Sequence, residues 1–211
     1  MKIAIIGANG NVGKVLLKEA IARNYEVTAI VHNQAKYLNE HDSLKITEAD
    51  AFDEKSLVNA IKGNDLVISA FGPKLGEEDS LLLVTKNLIN ATKKALVPRL
   101  IAIGGAGSLY VAPGLKLGDS ESFPADWKPI SSAHTSALEI YKNESELDWT
   151  VLSPSALFES GSRTGKYKLG KDDLIVDDKG ASKISFEDYS MALLDEAANP
   201  KFSRERFTIG Y

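Results

Sequence analysis

The strongest constraint on the fold lies at the start of the chain, where an apolar strand runs into three regularly spaced glycines. Residues 1–6 read Met-Lys-Ile-Ala-Ile-Ile, and Gly7, Gly10 and Gly13 follow at the spacing G-x-x-G-x-x-G before a helical pattern begins. The first glycine permits a sharp turn, and the third allows the helix to pack close to the sheet. The segment therefore predicts a strand–turn–helix unit that opens an α/β sheet.

This turn has the properties of an anion site. The second glycine removes a Cβ that would hold a pyrophosphate away from the backbone, and the free N–H groups of the new helix face the same point. An ordinary turn produces such spacing by chance, but here the motif follows a strand and precedes a helix, which favours dinucleotide binding. The predicted contacts in this turn are Gly7, Asn9, Gly10, Asn11, Val12 and Gly13.

Apolar strand patterns alternate with helical patterns along the whole chain. Strands are predicted at 2–7, 26–31, 44–48, 65–70, 99–104, 149–153 and 207–210, and helices at 12–23, 54–62, 79–95, 131–146 and 189–198. The short strands are continuously apolar, which is typical of a parallel sheet covered on both faces. We therefore predict one domain over residues 1–211 with a Rossmann-type, doubly wound parallel sheet.

Two segments break this regularity. Residues 105–130 are rich in glycine and proline, and residues 154–181 are rich in Ser, Gly, Lys and Asp, with short strand-like pieces at 167–169 and 174–176. Both follow predicted strands at their carboxyl ends, where ligands bind in open α/β sheets. We expect them to form a small, loop-rich substrate lobe.

Composition excludes several classes of function. The chain has no cysteine, so thiolate chemistry and Cys-based metal sites are absent, and its three histidines are too scattered to predict a metal site. A net charge of −4 argues against nucleic-acid binding. No apolar run approaches the roughly 20 residues of a membrane span, and the N-terminus leads directly into a strand, so we expect a cytoplasmic protein.

The end of the second strand bears on the choice of dinucleotide. NAD sites usually place an acidic residue here to bind the ribose hydroxyls, but none occurs from Thr28 through Lys36. His32, Asn33 and Lys36 instead offer donors and positive charge to a 2′-phosphate, which favours NADP over NAD. The alternative is that His32 is a solvated loop residue.

Further cofactor contacts are predicted where later strands end. Asp50 and Ala51 follow the third strand and either border the adenine or form a turn, two readings that the sequence leaves open. Small residues after the fourth strand allow a close backbone approach to the nicotinamide ribose. This last group of predicted contacts consists of Ser69, Ala70, Phe71 and Gly72, with Gly104 after the fifth strand.

Several motifs together resemble the atypical short-chain dehydrogenase/reductases of the NAD(P)-binding, NmrA-like superfamily, most closely the NADH–flavin reductase and biliverdin reductase B type. The resemblance covers nearly the whole chain. It rests on residues 7–13, 50–53, 103–109, 148–155, 163–167 and 184–189. Two positions depart from the branch, since Ser153 and His32 stand where arginine is usual.

The resemblance also exposes a catalytic difference. Typical members carry Tyr-x-x-x-Lys on the helix after the fifth strand, whereas this helix has His134 followed by Leu138. Ordinary alcohol dehydrogenase chemistry is therefore not expected. Flavin reduction tolerates the loss, because positioning two flat rings supplies much of the catalysis.

We predict an NAD(P)H-dependent reductase that passes hydride to a flavin, FMN or FAD, or to a similar flat small-molecule acceptor. Ser108 is the candidate for orienting the nicotinamide or the acceptor, and His134 is a candidate proton donor, although a surface or helix-start position would also explain it. Walls for a flat ring are predicted from Phe71, Tyr110, Trp127 and Phe158.

Two other functions remain open at this stage. A non-catalytic redox sensor of the NmrA type is equally compatible with the missing Tyr–Lys pair. An isomerase or epimerase acting on nucleotide sugars fits less well, because it normally needs the tyrosine base. The chain is expected to be a monomer or a homodimer, with no nucleic-acid or membrane partner.

Overall fold

The computed structural model describes residues 1–33 and 41–211. Its main feature is an eight-stranded sheet in the order β10-β12-β8-β5-β4-β1-β2-β3. The strands of this sheet are β1 (Lys2–Ile6), β2 (Glu26–Val31), β3 (Leu44–Glu48), β4 (Leu66–Ser69), β5 (Arg99–Ile103), β8 (Asp148–Ser153), β10 (Lys168–Gly170) and β12 (Glu205–Gly210). All neighbouring strands pair in parallel except β10 with β12. The predicted Rossmann-type fold is confirmed.

Helices cover both faces of the sheet. They are α1 (Asn11–Ala22), α2 (Glu54–Ile61), α3 (Ser80–Lys94), α4 (Lys128–Lys142) and α5 (Phe186–Ala198). Alternating residues of β1 divide the core, since Ile3 and Ile5 pack with α1 and α5, whereas Ala4 and Ile6 pack with α2, α3 and α4. This two-sided burial explains why the strands are continuously apolar.

Side-chain caps fix the starts of α2 and α5, and α5 begins three residues before the predicted range 189–198. The carboxylate of Asp53 accepts a hydrogen bond from the Lys55 amide at 2.9 Å at the start of α2. The hydroxyl of Ser185 accepts one from the Asp188 amide at 3.0 Å at the start of α5. Such caps satisfy N–H groups that the helix itself leaves unpaired.

Helix α4 begins and ends earlier than the predicted range 131–146. Pro129 lies in its first turn, where a missing N–H costs nothing, so the proline starts the helix instead of belonging to the preceding loop. At the other end, the Glu144 carboxylate accepts hydrogen bonds from the amides of Glu146 and Leu147 and forms a turn.

The long loops contain short paired strands that the sequence does not predict. These are β6 (Tyr110–Ala112) with β7 (Leu115–Lys116), and β9 (Leu157–Glu159) with β11 (Lys183–Ser185). The predicted strand at 174–176 is wrong. That segment leads into a turn in which the Asp177 carboxylate accepts from the amides of Lys179 and Ala181, both at 2.9 Å.

Candidate active site at the carboxyl edge of the sheet

The turn between β1 and α1 cannot accommodate side chains at two of its glycines. Gly7 has a φ of +75°, and a Cβ there would lie 2.7 Å from the carbonyl oxygen of Ala70. A Cβ on Gly13 would lie 2.1 Å from the carbonyl oxygen of Gly7. Both contacts are with backbone, which cannot move aside as a side chain can. The turn is therefore pressed against the end of β4 on one side and against α1 on the other.

The first turn of α1 lies open. Its N-cap residue is Gly10, no side chain caps it, and no acidic residue lies in the first turn. Asn9, Gly10 and Asn11 are all exposed. The positive end of the helix dipole therefore faces solvent without a protein carboxylate to neutralise it, and such an end attracts phosphate.

The turn also lies at the point where the strand order reverses. Strand β1 has β2 on one side and β4 on the other, so the chain winds outward in both directions from this pair. In open α/β sheets, the crevice at this switch point is where ligands bind. Ser69 is buried at the end of β4, while Gly72 is exposed and has open space around it.

The residues beyond β2 and β3 border the same edge. His32 and Asn33 are exposed directly after β2, and Lys36 lies outside the described residues. Asp50 is engaged in its own turn, since its carboxylate accepts from the Phe52 amide at 2.9 Å. This contact supports the alternative in which Asp50 forms a turn, and a role at the adenine stays a prediction.

A cavity of about 600 Å³ opens beyond the ends of β5 and β8. Most of its wall comes from three segments: residues 104–107, the segment leading into α4, and the segment after β8. These segments lie in the predicted substrate lobe or next to it. The large apolar side chains that line it are Leu117, Phe123, Trp127, Ile130, Leu157 and Phe158. Of the predicted aromatic walls, Trp127 and Phe158 line this cavity, whereas Phe71 and Tyr110 border other hollows.

His134 lies between this cavity and a smaller one. Its ring lines the large cavity and also a hollow of about 20 Å³ shared with Ser69 and Tyr141. It packs so closely on Gly105 that a Cβ there would lie 2.7 Å from the His134 Cβ. Burial lowers the pKa of His134 to about 4, so the imidazole is neutral at neutral pH. The near-neutral pKa assumed for a proton donor does not hold, although a neutral ring still offers one N–H to a ligand.

Ser108 has a different environment from the one expected of a ligand contact. It is 6% exposed, and its hydroxyl accepts a hydrogen bond from Nη1 of Arg206 at 3.2 Å. The Nε of Arg206 also donates to the Asp172 carboxylate at 3.0 Å. Ser108 does not line the large cavity. Its hydrogen bond with Arg206, which also binds Asp172, links three segments of the chain. A direct role for Ser108 stays a prediction.

The Tyr-x-x-x-Lys pattern occurs once in the chain, but far from this helix. Tyr167 and Lys171 flank β10, where the Tyr167 hydroxyl donates to Asp195 at 3.0 Å and the Lys171 ammonium pairs with Glu205 at 2.9 Å. Both side chains are thus engaged in surface contacts.

The sequence did not identify all of the cavity. Gly105, Phe123 and Pro154 line it without having been singled out. Their position directly after β5 and β8, or next to the start of α4, was the available signal.

Two general features complete the description. Within residues 1–33 and 41–211, no helix has the length and apolarity required to cross a bilayer. The same residues contain no cluster of three or more His, Cys, Asp or Glu side chains arranged to hold a metal ion.

Comparison with known proteins places this geometry in context. Residues 7–200 match the family described as NAD(P)H-binding. The uncharacterized protein YwnB of Bacillus subtilis is 43% identical over 99% of this chain and 98% of its own length. A Bacteroides thetaiotaomicron structure, provisionally named an epimerase, is 45% identical with a TM-score of 0.93 over 100% of this chain and 96% of that one. A Streptococcus pneumoniae structure, provisionally named an NADH-flavin reductase, is 34% identical with a TM-score of 0.86 over 100% and 99% of the two chains.

Proposed function

Because the chain belongs to the NAD(P)H-binding family, we propose that it is an NAD(P)H-dependent reductase acting on a flavin or a similarly flat acceptor. The observation that carries the proposal is the position of the large cavity. It adjoins Gly104 and Gly105 at the end of β5, on the same sheet edge as the turn from Gly7 to Gly13. A dinucleotide laid along this edge would bring its reactive end to an apolar hollow.

The residues present fit such a cofactor. Gly7 and Gly13 let the turn pack tightly against β4 and α1, and the uncapped first turn of α1 supplies N–H groups for a pyrophosphate. We assign the pyrophosphate to the turn from Asn9 to Val12, and the nicotinamide end to Ser69–Gly72 and Gly104. His32, Asn33 and Lys36 are the proposed 2′-phosphate contacts, which makes NADP the preferred dinucleotide.

When bound, the nicotinamide supplies hydride, and the acceptor's delocalised ring takes the charge. The chain's own residues then hold the two rings together and exclude water from between them. Trp127 and Phe158 provide surfaces for a flat ring, and Gly105 leaves the space that the His134 side chain occupies beside them. His134, neutral at working pH, offers an N–H without adding charge, and the proton that completes reduction comes from solvent.

The names of the two structural neighbours point to different reactions, and the cavity favours reduction. A nucleotide sugar carries phosphates and many hydroxyls, which proteins bind with charged and hydrogen-bonding side chains. The cavity wall is mostly apolar and aromatic instead. It also lacks the tyrosine base on α4, because His134 and Leu138 occupy that stretch.

The test is steady-state absorbance of reduced nicotinamide with the purified protein. NADPH and NADH are each offered FMN and riboflavin, and we expect turnover with a preference for NADPH. Trp127→Ala is the matched variant. Because Trp127 is 63% exposed, its loss should raise the KM for acceptor and leave NADPH binding and stability nearly unchanged. Tight dinucleotide binding with no turnover for any acceptor would refute the reductase and support a sensor.

A further inference from the structure

The described side chains that line the large cavity carry no fixed charge. None of the described side chains that line it is Asp, Glu, Lys or Arg, and His134 is neutral near pH 7. The serine hydroxyls in the wall are partly engaged already. Ser155 donates to the Ile209 carbonyl at 2.8 Å, and Ser182 accepts from the Ala156 amide at 3.2 Å.

The residues that flank the described lining residues in sequence add no net charge. Three are acidic and three are basic: Glu121, Asp126 and Glu159, and Lys116, Lys128 and Lys183. A phosphate or carboxylate on an acceptor would therefore meet no net attractive field there.

Two large apolar side chains of the cavity wall are exposed, and a bound ligand would cover them. Trp127 is 63% exposed and Leu157 is 48% exposed, and these two side chains, one just before α4 and the other in β9, line the same cavity. A flat, uncharged ring would bury these surfaces without placing a charge in an apolar site, which is unfavourable when the charge has no partner there.

We infer that the acceptor is an uncharged flat ring system, such as a quinone or riboflavin, and that phosphorylated flavins are poorer substrates. This inference rests on the proposed reductase function. The reaction balances as hydride from NAD(P)H plus one proton from solvent, which together convert a quinone to a hydroquinone and leave NAD(P)⁺.

Two matched pairs of acceptors test the inference. Riboflavin and FMN differ by one phosphate, and a neutral naphthoquinone differs from its sulfonate by one anionic group. At saturating NADPH, we expect kcat/KM to be at least about threefold higher for the neutral member of each pair, because the anionic group meets no cationic side chain among the described lining residues. Equal values, or a preference for FMN and the sulfonate, would overturn the inference while leaving the reductase intact.

Binding provides a readout that is independent of turnover. Of the two tryptophans, Trp149 is 3% exposed, so quenching by a ligand in the cavity should come from Trp127. With NADP⁺ present, riboflavin should quench at lower concentration than FMN, and Trp127→Phe should abolish most of the signal. If no acceptor is reduced and none quenches, both the reductase and the uncharged-acceptor proposal fall.

A positive charge placed in the wall should shift the preference toward the phosphorylated acceptor. Ser122 is exposed on the lining, so Ser122→Lys adds an ammonium group there without burying it. We expect the FMN-to-riboflavin ratio of kcat/KM to rise about threefold or more and to fall back toward the wild-type ratio in high salt. Ser122→Gln, a polar but uncharged variant, should leave the ratio unchanged. An unchanged ratio in Ser122→Lys would contradict the assignment of this cavity to the acceptor.

Discussion

Adding one methyl group at Gly13 should destabilise the protein and abolish dinucleotide binding together. The Cβ of Gly13→Ala would lie 2.1 Å from the Gly7 carbonyl oxygen and 3.0 Å from the Ala8 Cα. Atoms of this kind need more than 3 Å, so the turn must open or α1 must move away from β1. Overpacking of this kind costs about 1–3 kcal/mol. For a chain of this size, that corresponds to a fall in Tm of roughly 2–12 °C.

Adding the same methyl group at Gly10 should separate the effect on stability from the effect on dinucleotide binding. A Cβ there would have only one close neighbour, the Gly7 carbonyl oxygen at 3.3 Å, and the residue is exposed. Gly10→Ala should therefore cost less stability than Gly13→Ala, at most about 1 kcal/mol because alanine is a poorer N-cap than glycine. It should weaken NADPH binding about tenfold or more, because the methyl projects from the turn assigned to the pyrophosphate.

Thermal unfolding and NADPH titration calorimetry on both variants give the comparison. Gly72→Ala serves as the control for stability, since a Cβ there meets nothing within 4 Å. If Gly13→Ala unfolds at the wild-type temperature and binds NADPH normally, the steric reasoning about this turn is wrong.

Three further predictions concern other parts of the chain. Glu196→Ala should lower the free energy of unfolding by about 1.5–3 kcal/mol in urea titrations, because it removes the carboxylate 2.5 Å from the buried guanidinium of Arg99 and leaves the more distant Asp148, at 3.4 Å, to pair with it; a loss below about 1 kcal/mol would contradict this. Because burial lowers the pKa of His134 from 6.5 to about 4, the unfolded chain binds the proton first. Wild-type stability should therefore fall by up to roughly 3 kcal/mol between pH 6.5 and 4, and His134→Asn should flatten that fall. His32→Asp should raise the KM for NADPH about tenfold and spare NADH, since a carboxylate repels a 2′-phosphate; equal changes in both KM values would remove His32 from the 2′-phosphate site.

Features carried by local sequence were predictable. The turn at Gly7 and Gly13 follows from spacing, and the four buried residues of β4 are a continuous apolar run that only a two-sided sheet accommodates. The caps at Asp53 and Ser185 depend on residues within three positions of the helix start.

Features set by distant partners were not predictable. The direction of the Ser108 side chain depends on Arg206, which lies 98 residues further along the chain. The pKa of His134 depends on packing against Gly105 and the core behind it. The segment 174–176 is apolar enough for a strand, yet the Asp177 turn follows it at once, and hydrophobicity alone does not report that turn.

Because Gly7 packs directly against the backbone of Ala70, we expect the turn between β1 and α1 to reach its final conformation late during synthesis. Strand β1 is made first but lies in the middle of the sheet, between β2 and β4. The ribosome synthesises Gly7 long before Ala70, so the two residues can pack together only after β4 has been made. In the folded protein, the Ala70 amide donates to the Ile6 carbonyl at 2.9 Å. Long-range parallel pairing of this kind is slow. The nascent chain therefore acquires its dinucleotide affinity only after β4 has left the exit tunnel and docked, so the cofactor can stabilise late folding intermediates but not the earliest ones.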